Sequence, residues 1–459
     1  MIHRFKQGDL FILTDVNSGS VHSVDELVYD LCGLVTPPLA AHCPQDAAEA
    51  LKEKYSPEAI EEAYQEICEL AKEDLLFSSP QEIPANLIKP DDIPVKALCL
   101  HVSHDCNLRC TYCFAQTGDF GTVRSLMNAE TAKKAIDFVI ERSKNRHNIE
   151  VDFFGGEPLM AFDVVKETVE YAKEQGKAHD KNFRFTITTN GLLLNDEITE
   201  YLNREMSNIV LSLDGRKSVN DDMRKTVAGT GSYDIIVPKM KKLVDQRDKD
   251  KDYYVRGTYT GKNLDFTQDV LDIYHHGFDQ ISVEPVSAPA GCGYEITEAD
   301  LPRIREEYNK LSEIMLDLEK NGEGFNFFHF NVDLEQGPCI IKRMRGCGAG
   351  CEYVAVTPEG DIYPCHQFVG MKEFYMGNIN EGTFDRSHVK QFANVSVYTR
   401  EKCKDCWAKF YCSGGCSAAN YHANHDINDA YEIGCELEKM RLECAIYRAI
   451  KHSEADEEK

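Results

Sequence analysis

Apolar and polar positions follow different rhythms in successive parts of this chain, and each rhythm marks out a region. In residues 1–77 two short apolar runs, Ile2 to Phe5 and Leu10 to Thr14, lead to the turn residues Asn17, Ser18 and Gly19, the pattern of strands joined by tight turns. Ser23 with Glu26 makes a capping box for a helix through Leu34, closed by Pro37 and Pro38. Ser56 and Pro57 open a second helix in which Ile60, Tyr64, Ile67 and Ala71 recur at helical spacing. Cys32 and Cys68 fall inside these helices and read as packed thiols. Residues 78–94 hold prolines at 80, 84, 90 and 94, which suit neither a helix nor a central strand and so predict a linker.

From residue 95 apolar runs alternate with amphipathic stretches. Val95 to Val102, Glu150 to Phe154, Phe183 to Thr188, Ile209 to Leu213, Tyr253 to Tyr259 and Gln280 to Val286 predict six strands, and Ala129 to Arg142 predicts the first intervening helix. This order implies an α/β fold with a parallel sheet wound in one sense. A partial (β/α)6 TIM-like barrel over residues 95–320 is the expected closure, with the active site where the strands end. The polar motifs described next all follow predicted strands.

Composition narrows the function. A length of 459 residues suggests about three domains. The formal charge of −26, from 51 basic and 77 acidic side chains, would repel a phosphate backbone, so nucleic acid is not an expected partner. Eighteen cysteines would suit a secreted disulfide scaffold only in a short chain with a signal peptide, and MIHRFKQGDLFILTD has no apolar signal core. No run approaches the roughly twenty apolar residues that span a bilayer. The expectation is a cytoplasmic protein, with no membrane partner, whose cysteines are reduced and many of them bound to metal.

The first cysteine group is Asp105 to Cys113, DCNLRCTYC, with thiols at Cys106, Cys110 and Cys113. Four-iron clusters are usually closed by four thiolates, so three local ligands leave one iron free; a zinc loop with a distant fourth ligand is the alternative. The C-x3-C-x-aromatic-C spacing resembles the radical S-adenosylmethionine (SAM) enzymes. That resemblance implies that SAM chelates the free iron and that one electron splits it into methionine and a 5′-deoxyadenosyl radical. After the second strand, Gly155-Gly156-Glu157-Pro158 lets backbone approach a ligand and offers an anion to SAM's ammonium. By the same resemblance, Asn190 and Ser212 follow the third and fourth strands as contacts to SAM, with Ser212 on the ribose. Arg224 matches the arginine that holds the SAM carboxylate, and Tyr112 can lie along the adenine.

A second cysteine field runs Cys347, Gly360, Cys365, then Cys403, Cys406, Cys412, Cys416 and Cys435. Its register, C-x12-G-x4-C, a gap, C-x2-C-x5-C-x3-C, a gap and C, resembles the SPASM extension of radical SAM peptide-modifying enzymes, whose x5 and x3 steps paired zinc knuckles do not predict. The resemblance implies two auxiliary four-iron clusters, one on Cys403, Cys406, Cys412 and Cys435, the other on Cys347, Cys365 and Cys416. With the SAM cluster this makes three [4Fe-4S] clusters. The fourth ligand of the Cys347 set stays open between Cys351, Cys339 and a substrate thiolate. His366 stands where sulfatase-maturing relatives place an aspartate base, which argues against formylglycine formation.

Residues 1–77 resemble the winged-helix-like peptide-recognition domain of many peptide-modifying enzymes, to which a leader adds as a strand; a plain structural cap is the alternative. The expected division is therefore 1–77, linker 78–94, barrel 95–320 and SPASM domain 321–459. The whole order resembles the maturases of six-cysteines-in-forty-five-residues (SCIFF) peptides. It implies thioether crosslinks between cysteine sulfur and an α-carbon in a cysteine-rich precursor peptide with a leader, and a flavodoxin- or ferredoxin-type electron donor. The alternative is another SPASM maturase, forming formylglycine or a carbon-carbon crosslink.

Overall fold

The computed structural model describes residues 1–80, 93–334 and 343–457; most of the proline-rich linker and Cys339 lie outside the described residues. Strands β1 (Ile2–Gln7), β2 (Leu10–Asp15) and β3 (Val21–Val24) form an antiparallel sheet in that order. Gln7 pairs with Leu10 across a turn in which Gly8 takes a φ of 58°. β3 was not expected from the sequence, and it absorbs Ser23. The following helix α1 (Glu26–Leu31) is capped by Asp25, whose carboxylate accepts from the Val28 amide at 2.8 Å, and it ends short of Leu34. The capping box on Ser23 is thus replaced by an aspartate cap. Helix α2 (Gln45–Leu51) precedes α3 (Pro57–Lys72), which starts as expected at Ser56. Leu13, Leu27, Leu31, Ile60, Tyr64 and Ile67 bury one face of this unit. The opposite face of the sheet, Phe5, Leu10 and Ile12, packs on Leu316, Ile446 and Tyr447 further along the chain.

The six expected strands all form: β4 (Ala97–Ser103), β6 (Asn148–Gly155), β7 (Asn182–Thr189), β8 (Asn208–Ser212), β10 (Asp252–Tyr259) and β11 (Gln280–Pro285) are parallel neighbours in the order β11-β10-β8-β7-β6-β4. Helices α4 (Ala129–Arg142), α5 (Phe162–His179), α6 (Asp196–Glu205), α7 (Lys217–Met223), α8 (Tyr233–Asp245), α9 (Thr267–His275) and α10 (Leu301–Lys320) supply the connections. The sheet stays open and grows at both edges from residues beyond 320. β12 (Asn326–Phe327) pairs with β11, and β13 (Tyr353–Val356) pairs in parallel with β4 and carries the antiparallel β14 (Ile362–Tyr363). Strands from both sides of residue 320 therefore share one sheet.

Alternation along each strand separates two faces. Phe153, Ile209, Leu211, Val255, Tyr259, Ile281 and Val283 enter the core beneath the helices, each worth about 1.5–3 kcal/mol of burial. The intervening residues, among them Phe154, Ser212, Arg256 and Glu284, face the inside of the partial barrel. Among the described residues no helix is long and apolar enough to cross a membrane.

Candidate functional site

The thiol loop is fixed by backbone before any metal is considered. It leaves β4 and forms a three-residue strand β5 (Leu108–Cys110), which pairs antiparallel with β9 (Arg224–Thr226) so that Cys110 sits opposite Arg224. The Thr111 amide continues the ladder to the Met223 carbonyl at 2.8 Å. On the other side the Gly156 amide donates to Ser103 at 2.8 Å and the Glu157 amide to Asp105 at 2.9 Å. A Cβ on Gly155, at φ 128°, would overlap the Ser103 carbonyl oxygen, and one on Gly156 would overlap that of Asp105. The two glycines thus let the end of β6 lie directly against the thiol loop.

Cys106, Cys110 and Cys113 face one another closely enough for their charges to interact. Burial pushes the Cys106 thiol up to about 12 and the Cys110 thiol up to about 11, so a metal binding there as thiolate must displace protons. The Asn190 amide lies 3.7 Å from the Cys106 sulfur and donates to Asn107 at 2.8 Å. Glu157 is buried and accepts from the Thr189 hydroxyl and the Asn190 amide, both at 2.8 Å, and from the Leu159 amide at 3.1 Å. Burial nevertheless raises its carboxyl to about 6. The Tyr112 hydroxyl donates to Asp214 at 2.7 Å and accepts from Arg224 Nη1 at 2.9 Å. Arg224 is buried, and among the described residues its Nε has no partner. A buried guanidinium with an unsatisfied N–H, beside three convergent thiols and a buried carboxylate, fits a zwitterion such as the methionine end of SAM.

Cys106, Cys110, Cys113, Tyr112, Gly155, Gly156, Glu157, Asn190 and Arg224 are brought together here, and Ser212 closes β8 beside them on the inner face. Asp214, which bridges to Arg224 through Tyr112, had no expected role, although it lies only two residues beyond Ser212. Arg256 and Glu284 were also missed; their signal was a charge in the middle of an apolar strand.

In the second field, Cys403, Cys406, Cys412 and Cys435 form one neighbourhood, and Cys347, Cys365 and Cys416 form another, with Cys351 lining the same small cavity as Cys347. Short helices at Glu401–Lys404 and Lys409–Cys412 carry Cys403 and Cys412 with Cys406 between them, the long helix Glu432–Glu457 carries Cys435, and Ser413, Gly414 and Gly415 at positive φ turn the chain to Cys416. Arg400 ties the segments by donating to the Gly414 carbonyl, to Ile427 at 2.9 Å and to Ser417 at 2.9 Å. The Cys351 thiol is buried and donates to the Val389 carbonyl at 3.3 Å. Among the described residues no three His, Cys, Asp or Glu side chains approach closely enough to hold a single metal ion. Thiolates at the corners of a four-iron cluster stand further apart than those round one ion.

Residues 100–258 match the radical SAM superfamily and residues 347–407 match the SPASM iron-sulfur cluster-binding domain. The chain thus carries a radical SAM domain followed by a SPASM domain, and its cofactors are SAM and iron-sulfur clusters. Among curated proteins it is 24% identical over 376 residues to the radical SAM cyclopropyl synthase TigE of Paramaledivibacter caminithermalis, covering 77% of this chain and 74% of that one. It is 26% identical over 356 residues to a cysteine-type anaerobic sulfatase-maturating enzyme of Clostridium novyi, covering 74% and 92%. Among solved structures, anSMEcpe with bound AdoMet superposes with a TM-score of 0.66 at 20% identity, covering 78% of this chain and 98% of that one. Streptococcus suis SuiB bound to S-adenosylmethionine does so with a TM-score of 0.53 at 19% identity, covering 95% and 98%.

Proposed function

We propose that this chain is a radical SAM maturase that forms thioether links between cysteine sulfur and an α-carbon in a ribosomally made, cysteine-rich precursor peptide, as SCIFF maturases do. Bound at a four-iron cluster and given one electron, SAM supplies a 5′-deoxyadenosyl radical able to remove a hydrogen atom. Cys106, Cys110 and Cys113 hold that cluster, Glu157 and Arg224 bind the two charged ends of SAM's methionine part, and Asn190 and Ser212 complete its site. Tyr112 keeps Arg224 and Asp214 in register. Cys403, Cys406, Cys412 and Cys435 hold one auxiliary cluster, and Cys347, Cys365 and Cys416 hold three corners of the other. This makes about twelve irons per chain. A flavodoxin- or ferredoxin-type donor supplies the electron.

The observation that carries the thioether reading is the placement of Cys351. Its thiol lines the same small cavity as Cys347 but donates to the Val389 carbonyl, and we read this as leaving the fourth corner of the Cys347 set to a substrate thiolate. Such binding would deprotonate the substrate cysteine and hold its sulfur near the reacting carbon. The relatives named for peptide or protein maturation, and SuiB solved with its precursor peptide SuiA, support a peptide substrate. β3 is the outer strand of the N-terminal sheet, and its open edge offers the leader a strand to pair with.

The second reading is another SPASM maturation, and the relatives include sulfatase and mycofactocin maturases. Against formylglycine stands His366, whose Nδ1 meets the Tyr353 hydroxyl at 3.2 Å and whose ring packs on Phe114 and Phe154. Burial holds this imidazole down at about 4, so it carries no charge where those relatives have a carboxylate. The test is to supply cysteine-dense peptides encoded by neighbouring reading frames to the reconstituted enzyme and to sequence the product by mass spectrometry. Loss of two hydrogens per link, with a matching loss of alkylatable thiols, supports the reading. A formylglycine or a carbon-carbon link refutes it.

A further inference from the structure

Inside the barrel, between the Tyr112–Arg224 network and His366, one ion pair is only half used. Arg256 on β10 lies in register with Ser212 of β8 on one side and Ser282 of β11 on the other. Its Nη2 donates to Glu284 Oε2 at 2.6 Å, and among the described residues neither side chain makes another hydrogen bond. The other guanidinium donors and Glu284 Oε1 are therefore left for something else. Arg256 keeps 48% of its side-chain surface and Glu284 keeps 32%, although protein surrounds both on nearly all sides. That open surface belongs to the interior of the barrel.

A cavity large enough for a peptide stands where the chain leaves β11. A cavity of about 790 Å³ opens at the mouth, with Cys113, Phe114, Ser287, Ala288 and Tyr294 on its walls. Ser287 and Ala288 on its wall stand three and four residues beyond Glu284 in the chain, just past the end of β11. Its volume suits several peptide residues.

The chemistry of the pair selects the ligand. The nearby Arg441 is itself engaged by Glu438, so it is not a lone cation for an anion. Arg256 and Glu284 stay charged, each held so chiefly by the other against the cost of burial. A neutral group that accepts from the guanidinium and donates to the carboxylate satisfies both without adding charge, and one extended residue of a peptide does this with its own C=O and N–H, which face the same side.

We propose that Arg256 and Glu284 are positioning residues that grip the backbone of one extended substrate residue inside the barrel, with guanidinium on its carbonyl and carboxylate on its amide N–H, and so present the α-carbon between them for hydrogen removal. This rests on the peptide-maturase reading. Of its two rivals, an anionic side chain would be repelled by Glu284, and SAM itself has its charged ends met by Glu157 and Arg224.

The probe is N-acetyl-cysteinyl-threonine N-methylamide with deuterium on the threonine α-carbon, compared with an analogue in which an ester replaces the central amide. Binding to the reconstituted full-length enzyme with SAM and no reductant is measured by equilibrium dialysis, and deuterium in 5′-deoxyadenosine is read after adding dithionite. We expect Arg256→Lys and Glu284→Gln each to lower affinity and deuterium transfer about tenfold, the effect of one charge-assisted hydrogen bond. Peptide-free 5′-deoxyadenosine formation should not follow them down. The ester should cost the native enzyme a similar factor and cost Glu284→Gln little more. Native-like binding and transfer in both variants would overturn the proposal alone. A parallel loss of peptide-free SAM cleavage would assign the pair to SAM and overturn it too. A native enzyme that neither binds the probe nor takes its deuterium would overturn both the proposal and the peptide reading beneath it.

Discussion

The two cysteine regions of this molecule are built on different principles. At the barrel mouth the thiols ride on a loop held from both sides by backbone: the β5–β9 ladder on one, and the docked glycines at the end of β6 on the other. In residues 343–435, Cys435 rides on the long helix Glu432–Glu457, while most of the thiols sit on turns and four-residue helices, with Arg400 as a main tie between segments. Helices so short have little stability of their own. The first site is therefore shaped before iron arrives, and the second takes much of its order from the metal it holds, since metal binding and folding are coupled where no preformed scaffold exists.

The largest effect expected from breaking this contrast is on catalysis. Changing Cys106, Cys110 and Cys113 together to alanine should abolish SAM cleavage and remove about one third of the iron, while circular dichroism shows the fold retained. Retained cleavage would contradict the cluster assignment. Chelating all iron should next separate the regions by protease sensitivity. New cuts should fall within residues 343–435 and spare β4 to β11, and equal sensitivity of both would erase the contrast.

Smaller changes probe the backbone frame. Gly156→Ala pushes a methyl group into the Asp105 carbonyl and should cost about 1–3 kcal/mol, seen as a lower Tm together with weaker SAM binding. Arg224→Lys keeps the charge but loses the planar fork, and should weaken SAM about tenfold by titration. Tyr112→Phe removes only the hydroxyl that links Asp214 to Arg224, and about 1 kcal/mol of SAM affinity should go with it. An unchanged affinity would leave Tyr112 as packing alone.

Much of this was legible in the sequence because the signals were local. Each of the six barrel strands is an apolar run, α4 follows its periodicity from Ala129 to Arg142, and both cysteine registers and Gly155-Gly156 are fixed by short spacing. What escaped depends on pairing across long separations. Three-residue strands such as β5 and β9 carry no periodicity, so nothing local announces that Cys110 will lie opposite Arg224. β3, a four-residue strand, hid its Ser23 as a helix cap. β12 and β13 are short, and while β12 pairs with the strand just before it, β13 pairs with β4 at the far end of the barrel, which concealed how closely the second region is built into the first. Asp214 and Arg256 were visible as charges, but their meaning came only from what the fold set beside them.

The central claim is that the Cys347 set keeps an open corner for a substrate thiolate. The direct measurement is electron paramagnetic resonance of the reduced auxiliary clusters before and after a crosslinkable cysteine peptide is added, run alongside Cys351→Ala. The account predicts a changed signal that disappears when the peptide's cysteine is replaced by serine, and a Cys351→Ala enzyme that keeps both its iron and that response. A native signal indifferent to peptide, together with loss of cluster iron in Cys351→Ala, would contradict it.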